Sequence, residues 1–175
     1  MPALLRSDAD IAASITCIIS DVDGVLTDGR IIYDAKGVES KQFHVRDGLG
    51  IKLWMKSGFE FGILTSRQSN IVEKRAAELG IQHVAQGHAN KVPAAQSMLD
   101  SIGCRPDQVC YIGDDLPDVP IMKSVGLAVA PADAANDARD NAHWILQSSG
   151  GQGAVRELVE RLLRAQNKWE AHVPS

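Results

Sequence analysis

ITCIISDVDGVLTDG, residues 15–29, sets an apolar run against two aspartates spaced two apart, with the turn-prone pair Asp28-Gly29 closing the stretch. The run Ile15-Thr16-Cys17-Ile18-Ile19 is short, rich in β-branched residues and bounded by turn-formers, as a buried strand is. Asp21 and Asp23 stand where that strand ends. In an open α/β sheet the crevice outside the carboxyl ends of the strands is where ligands bind, so acidic residues there point to chemistry.

Working outward, short apolar runs alternate with segments of helical period. Strand candidates fall at 16–20, 61–65, 83–85, 109–112, 127–129 and 144–146, with helices near 47–57, 69–79, 91–102, 118–124 and 153–166. Gly80, Gly103 and Gly126 stop several of them. Successive βα units predict an α/β fold, a Rossmann-like doubly wound parallel sheet with helices on both faces. One segment breaks the rhythm. Residues 29–44 place β-type runs on either side of Asp34-Ala35-Lys36-Gly37, the signature of a hairpin, which would overhang the crevice as a flap.

Length and composition bound the possibilities. A chain of 175 residues fits one domain, 1–175, large enough for a substantial core. With 18 basic and 22 acidic residues and a net charge of −4, neither sign gathered into a block, nucleic-acid and membrane-surface binding are not expected. Cys17, Cys104 and Cys110 are odd in number and lack CxxC spacing, and Cys17 and Cys110 read as core thiols. The start MPALLRSDAD has no apolar stretch behind a basic region, and no apolar run approaches the roughly 18 residues of a membrane span, so a cytoplasmic location is expected.

The strand ends carry the chemistry. Asp21 and Asp23 follow the first strand, Thr65-Ser66-Arg67 the second and Gly113-Asp114-Asp115 the one at 109–112, while Asn90-Lys91 opens a helix. Several carboxylates in one crevice repel one another unless a hard cation joins them, and Mg2+ suits a site of a few carboxylate or carbonyl oxygens. One carboxylate is then able to attack phosphorus, a second two residues on to shuttle the proton. The Thr65 hydroxyl and the Lys91 ammonium suit the phosphoryl oxygens.

DVDGV (21–25), Thr65, Lys91 and GDDLPD (113–118), in that order, resemble the four motifs of the haloacid dehalogenase superfamily. HVRDGLGIK, LTSR, VEKRAAELGI, GHANK and GGQGAVRE extend the likeness, from Ile11 to about Ala165, to its 3-deoxy-D-manno-octulosonate (KDO) 8-phosphate phosphatase family. That resemblance implies a capless phosphatase of the lipopolysaccharide route that forms an aspartyl-phosphate and is a homotetramer. It places the nucleophile on Asp21, the acid/base on Asp23, and magnesium on Asp21, Asp114 and the Asp23 carbonyl. Substrate contacts fall on Asp23, His44, Val45, Arg46, Asp47, Gly48, Lys52, Ser66, Arg67, Arg75 and Lys91. Ser66 replaces a frequent glycine and Lys52 an arginine, which bears on sugar specificity because lysine lacks the bidentate grip. Fewer than 40 residues separate Asp28 from Thr65, too few for a cap domain, so a neighbouring subunit's flap and its tail, 167–175, are expected to help close the site.

Several residues keep two readings. Asp115 and Asp118 either support the metal ligands or cap the following helix, and Asp47 either contacts substrate or starts its own helix. Arg67 and Arg75, eight apart, either face the crevice together or lie on a solvated face. His44 is either a site contact or a hairpin residue; His83, His88, His143 and His172 read as structural. Gly150-Gly151-Gln152-Gly153 is either a phosphate cradle or a flexible lead into the last helix, with Arg156 beyond it. Three other functions compete: a 9-phosphatase for a nine-carbon sugar acid such as KDN or N-acetylneuraminate, a phospho-receiver domain, and a HAD-like module that has lost catalysis.

Overall fold

A computed structural model describes residues 7–174. The central sheet has six strands: β1 (Cys17–Ser20), β4 (Glu60–Leu64), β5 (His83–Ala85), β6 (Val109–Ile112), β7 (Leu127–Ala130) and β8 (Trp144–Ile145). Their order is β5-β4-β1-β6-β7-β8 and every pairing is parallel. β1 therefore lies in the middle. The chain leaves it toward β4 and β5, then crosses back to β6 on its other side, which makes the carboxyl end of β1 the switch point of the sheet.

Alternation along the strands sorts the core into two layers. Ile18, Phe61, Ile63, Cys110, Ile112, Leu127 and Val129 face one side, against α1 (Asp8–Ala13), α2 (Val45–Lys56), α3 (Asn70–Leu79) and α7 (Ala154–Ala165). Cys17, Ile19, Leu64, Val109, Tyr111, Ala128 and Ala130 face the other, against α4 (Lys91–Ile102), α5 (Val119–Met122) and α6 (Asn136–Asp140). In α7 the buried residues Val155, Leu158, Val159, Leu162 and Leu163 recur at helical spacing and form one apolar stripe. Trp54 of α2 is fully buried and its indole N–H donates to the Glu60 carbonyl at 2.8 Å, tying helix to sheet.

The flap is the predicted hairpin, β2 (Ile32–Tyr33) paired antiparallel with β3 (Glu39–Ser40). The Asp34 carboxylate accepts from the N–H groups of Lys36 and Val38, which pins its turn. One local expectation changes, and other features appear only in the structure. The helix foreseen near 118–124 opens as a 3-10 turn over Leu116–Asp118 and keeps only four α-helical residues, with Pro117 and Pro120 breaking its regular hydrogen bonding. α1 and α6 have 6 and 5 residues, too few for a period to show, although Ser7 and Asp10 form a capping box that marks α1. The tail, 167–175, folds back on its own chain over its described length: Trp169 is buried in the core and the His172 ring lies 2.8 Å from the Ser57 hydroxyl. Ser175 lies outside the described residues.

Candidate active site

The amide N–H of Asp21 donates to the Ile112 carbonyl at 3.0 Å, which carries the β1–β6 pairing one residue past the strands. The chain then turns inward. The N–H groups of Val25, Leu26 and Thr27 all donate to the Val22 carbonyl, while Val22, Val25 and Leu26 fill core positions. Gly24 makes the turn at φ +87°, and a Cβ there would run into the Asp114 carboxylate. Only glycine meets both demands.

Lys91 sits at the first position of α4, where the Asn90 side chain caps the helix by accepting from the Val92 N–H. It is buried, and its ammonium donates to Asp21 Oδ2 at 2.6 Å and Asp118 Oδ1 at 2.7 Å. Burial pulls the Lys91 pKa down, yet the two carboxylates outweigh it and leave the group above its ordinary value, so it stays charged. Asp118 is fully buried and also accepts from the Tyr111 hydroxyl at 2.5 Å and from the N–H groups of Asp114 and Asp115. Asp118 meets both of its sequence readings: it braces Lys91 and shapes the Asp114 loop, and it completes a capping box with Asp115. Asp115 caps the 3-10 turn, accepting from the Leu116 N–H at 2.8 Å.

Lys91 supplies one positive charge against the carboxylates of Asp21, Asp114 and Asp118. Burial, then repulsion from Asp118, lifts Asp21 to about 6 against the pull of Lys91. Burial, then repulsion from Asp21, Asp118 and Asp115, lifts Asp114 to about 8. Oxygens of Asp21, Asp114 and Asp118 lie within 4.8 Å of one another, and the Asp114 carboxylate accepts no hydrogen bond among the described residues. This donor set fits a hard divalent cation, which would relieve that repulsion. Asp21 and Asp114 line the open crevice, whereas Asp118 lies beneath it, held by Lys91, Tyr111 and two backbone N–H groups.

Asp21, Asp23, Thr65, Ser66, Arg67, Asp114 and Asp115 line one open crevice of about 300 Å3 at these strand ends. Asp23 stands at its rim under the flap. The Arg67 guanidinium reaches Glu39 at 2.9 Å and lies 3.7 Å from Asp23. Spacing alone did not reveal Lys41, whose ammonium meets Asp23 Oδ1 at 2.6 Å. The available signal was the alternation of Glu39 and Lys41, two apart on a strand and hence on one face.

The other sequence candidates lie elsewhere in the single chain. His44, Asp47, Gly48 and Arg75 line a separate narrow cleft with Phe43 and Val72, between α2 and α3. Arg67 faces the crevice, but Arg75 does not join it: its guanidinium lies over the Phe43 ring at 5.7 Å and pairs with Glu78 at 3.4 Å. His44 is the N-cap of α2, its Nδ1 accepting from the Arg46 N–H. Val45, Arg46 and Lys52 are exposed along α2. Asp47 lies in the first turn of α2. Its buried carboxylate accepts from the Arg156 N–H at 2.8 Å and so caps α7, whose own N-cap, Gly153, has no side chain to offer. The glycine loop leads into α7, with Gly153 as its N-cap at φ +99°. The Gly151 N–H donates to the Val25 carbonyl at 2.9 Å, and Cβ atoms at Gly150 and Gly151 would strike the backbone of Gly24 and Thr27, so the loop braces the Asp21 turn from behind. Arg156 stacks on Trp169 beyond it, 5.0 Å from the ring.

Comparison with known proteins agrees with this geometry. Residues 81–158 match the model of haloacid dehalogenase-like hydrolases. The chain is 46% identical over 159 residues to the KDO 8-phosphate phosphatase KdsC of Yersinia pestis, covering 91% of this chain and 85% of that one. The chain belongs to the KDO 8-phosphate phosphatase family. Among solved members of that family, the Y. pestis phosphatase superposes with a TM-score of 0.92 at 45% identity, covering 94% of this chain and 89% of that one. The Moraxella catarrhalis phosphatase, in complex with magnesium, phosphate and KDO, superposes with a TM-score of 0.93 at 38% identity, covering 97% of each chain. Membership sets aside the phospho-receiver reading.

Proposed function

We infer that this chain hydrolyses KDO 8-phosphate to KDO and inorganic phosphate, with Mg2+ as cofactor. The observation that carries the reading is the convergence of Asp21, Asp114, Asp118 and Lys91 at the ends of β1 and β6, in a chain nearly half identical to phosphatases of that ester. Asp21, Asp114 and the Asp23 carbonyl would hold the ion. When bound, it neutralises the carboxylates and the phosphoryl oxygens.

The residues divide the chemistry. The Val22 N–H and the Lys91 ammonium each hold one oxygen of Asp21, which orients this carboxylate at the crevice floor. Asp21 attacks phosphorus; the P–O bond to the sugar breaks, and the leaving oxygen takes a proton from Asp23. Asp23, now a carboxylate, takes a proton from water as that water's oxygen attacks phosphorus, and the Asp21–phosphorus bond breaks. Lys91, Thr65 and Ser66 stabilise the charge spread over the phosphoryl oxygens. Arg67 supplies a local cation for the acidic sugar.

The residues that stand away from the crevice fit a neighbour's site. His44, Val45, Arg46, Asp47, Gly48, Lys52 and Arg75 would reach substrate across a subunit boundary in a homotetramer. Exposed apolar residues on the flap and on α2, among them Ile31, Tyr33, Val38, Val45 and Leu49, support such an assembly. Free cysteines and the absence, among the described residues, of a helix long and apolar enough to cross a membrane fit a cytoplasmic step toward lipopolysaccharide.

Phosphate release from KDO 8-phosphate, with and without Mg2+, in wild type and Asp21→Asn, tests the reading. Turnover that needs both the metal and Asp21 is expected. Faster turnover of a nine-carbon 9-phosphate ester would replace the substrate, and equal activity in Asp21→Asn would remove the mechanism. Light scattering checks the tetramer.

A further inference from the structure

The flap places one more charged side chain in contact with the reacting groups. Lys41 follows β3, and its side chain is 2% exposed although the hairpin around it is largely exposed. Its ammonium lies 2.6 Å from Asp23 Oδ1 and 3.3 Å from Glu39 Oε1. Glu39 in turn accepts from Arg67 at 2.9 Å, and the same guanidinium nitrogen lies 3.2 Å from the Tyr33 hydroxyl. Asp23 Oδ2 accepts no hydrogen bond among the described residues; Arg67 Nε stands 3.7 Å away and is itself without a hydrogen-bond partner.

The two oxygens of Asp23 are therefore unequal. One is fixed by a buried ammonium and the other is left to the crevice. A proton-transferring carboxylate works only when its reactive oxygen lies within about 2.6–3.2 Å of the proton it handles, so a free rotor at the rim of an open crevice would spend much of its time misaligned. A charge-assisted contact from a stem with no solvent exposure removes that freedom.

We propose that Lys41 is a positioning residue that holds the Asp23 carboxylate in its working orientation, with Glu39 as its second anchor, so that seating of the flap and readiness of the acid/base are one event. This rests on Asp23 as the acid/base of the phosphatase reaction. Flap residues are then part of the catalytic apparatus as well as of any subunit contact.

The test is a kinetic cycle on the full chain with saturating Mg2+ and KDO 8-phosphate. Lys41→Met should lower kcat about tenfold or more with KM within about twofold, and Lys41→Arg should recover most of the loss. In an Asp23→Asn background the same Lys41→Met change should cost less than about twofold, because the group it positions is gone. Thermal melts report folding. Should Lys41→Met not fold, Glu39→Gln repeats the cycle, with a kcat loss of about threefold that disappears beside Asp23→Asn. A kcat for Lys41→Met within twofold of wild type, or a loss reproduced in full beside Asp23→Asn, would overturn the proposal while leaving the phosphatase reading intact. A wild type that releases no phosphate would remove both, and an Asp23→Asn enzyme as fast as wild type would remove the acid/base role of Asp23 and with it the proposal.

Discussion

The floor of the crevice and the start of α2 are built on opposite plans. On the floor, Lys91, Asp118 and Tyr111 are buried and joined within one chain, so the group that would attack phosphorus is held by short local contacts. At the start of α2, Val45 and Arg46 are exposed, while half-buried His44 and buried Asp47 are occupied with capping helices. In the proposed reading, the groups that handle phosphorus meet within one chain, whereas those proposed to grip the sugar do not. Bond-making geometry tolerates little displacement and suits strand ends, whereas recognition suits exposed surfaces of the kind a neighbour would complete in the proposed assembly.

The sharpest way to break this contrast is on the floor. Asp21→Asn should reduce phosphate release on the order of 10⁴-fold or more, measured with Mg2+ in excess, while circular dichroism stays that of the wild type. Lys91→Met comes next. It strands two carboxylates, one fully buried, and should cost about 3–5 kcal/mol in urea unfolding as well as about 10²–10³-fold in kcat, so stability and activity fall together.

α2 offers the opposite test. Asp47→Ala removes the cap of α7 and should cost about 1–2 kcal/mol of stability, with a smaller effect on kcat than either floor variant. A loss of kcat as large as that of Lys91→Met would place Asp47 in the chemistry. The mildest change is Arg75→Gln, for which a several-fold rise in KM for the sugar ester with little change in kcat is expected if it serves a neighbour's crevice. No change in KM would confine Arg75 to its contacts with Phe43 and Glu78.

Protons report on the floor as well. Asp21 and Asp114 have folded-state pKa values raised above the carboxylate value of 3.8, to about 6 and about 8. The folded metal-free protein therefore binds protons more tightly than the unfolded chain. The resulting stability is fully present below about pH 4 and is lost as pH rises through about 6 and then 8. Mg2+ replaces those protons, so its addition should raise the melting temperature more at pH 8 than at pH 5.5. Equal shifts at the two pH values would contradict the assignment of the cation to these carboxylates.

Much of this was legible in the chain itself. The β-rich runs, the flap turn and the order of the four motifs place the floor correctly, because each depends on local pattern or on the rule that parallel strand ends share a crevice. What escaped the sequence depends on distance. Nothing near Asp47 announces that it caps a helix more than 100 residues later, at Arg156. The glycine loop at 150–153 read as a helix entry or a phosphate cradle, and its close approach to the backbone of Gly24 and Thr27 could not be read locally. Lys41 was one lysine among many until the hairpin folded it onto Asp23.

The most direct measurement is mass spectrometry of the Asp23→Asn enzyme, acid-quenched after mixing with Mg2+ and KDO 8-phosphate. A phosphoryl group on Asp21, accumulating because the second step lacks its base, is the predicted result. Phosphate released without any phosphorylated enzyme, or a phosphoryl group on another residue, would contradict the account.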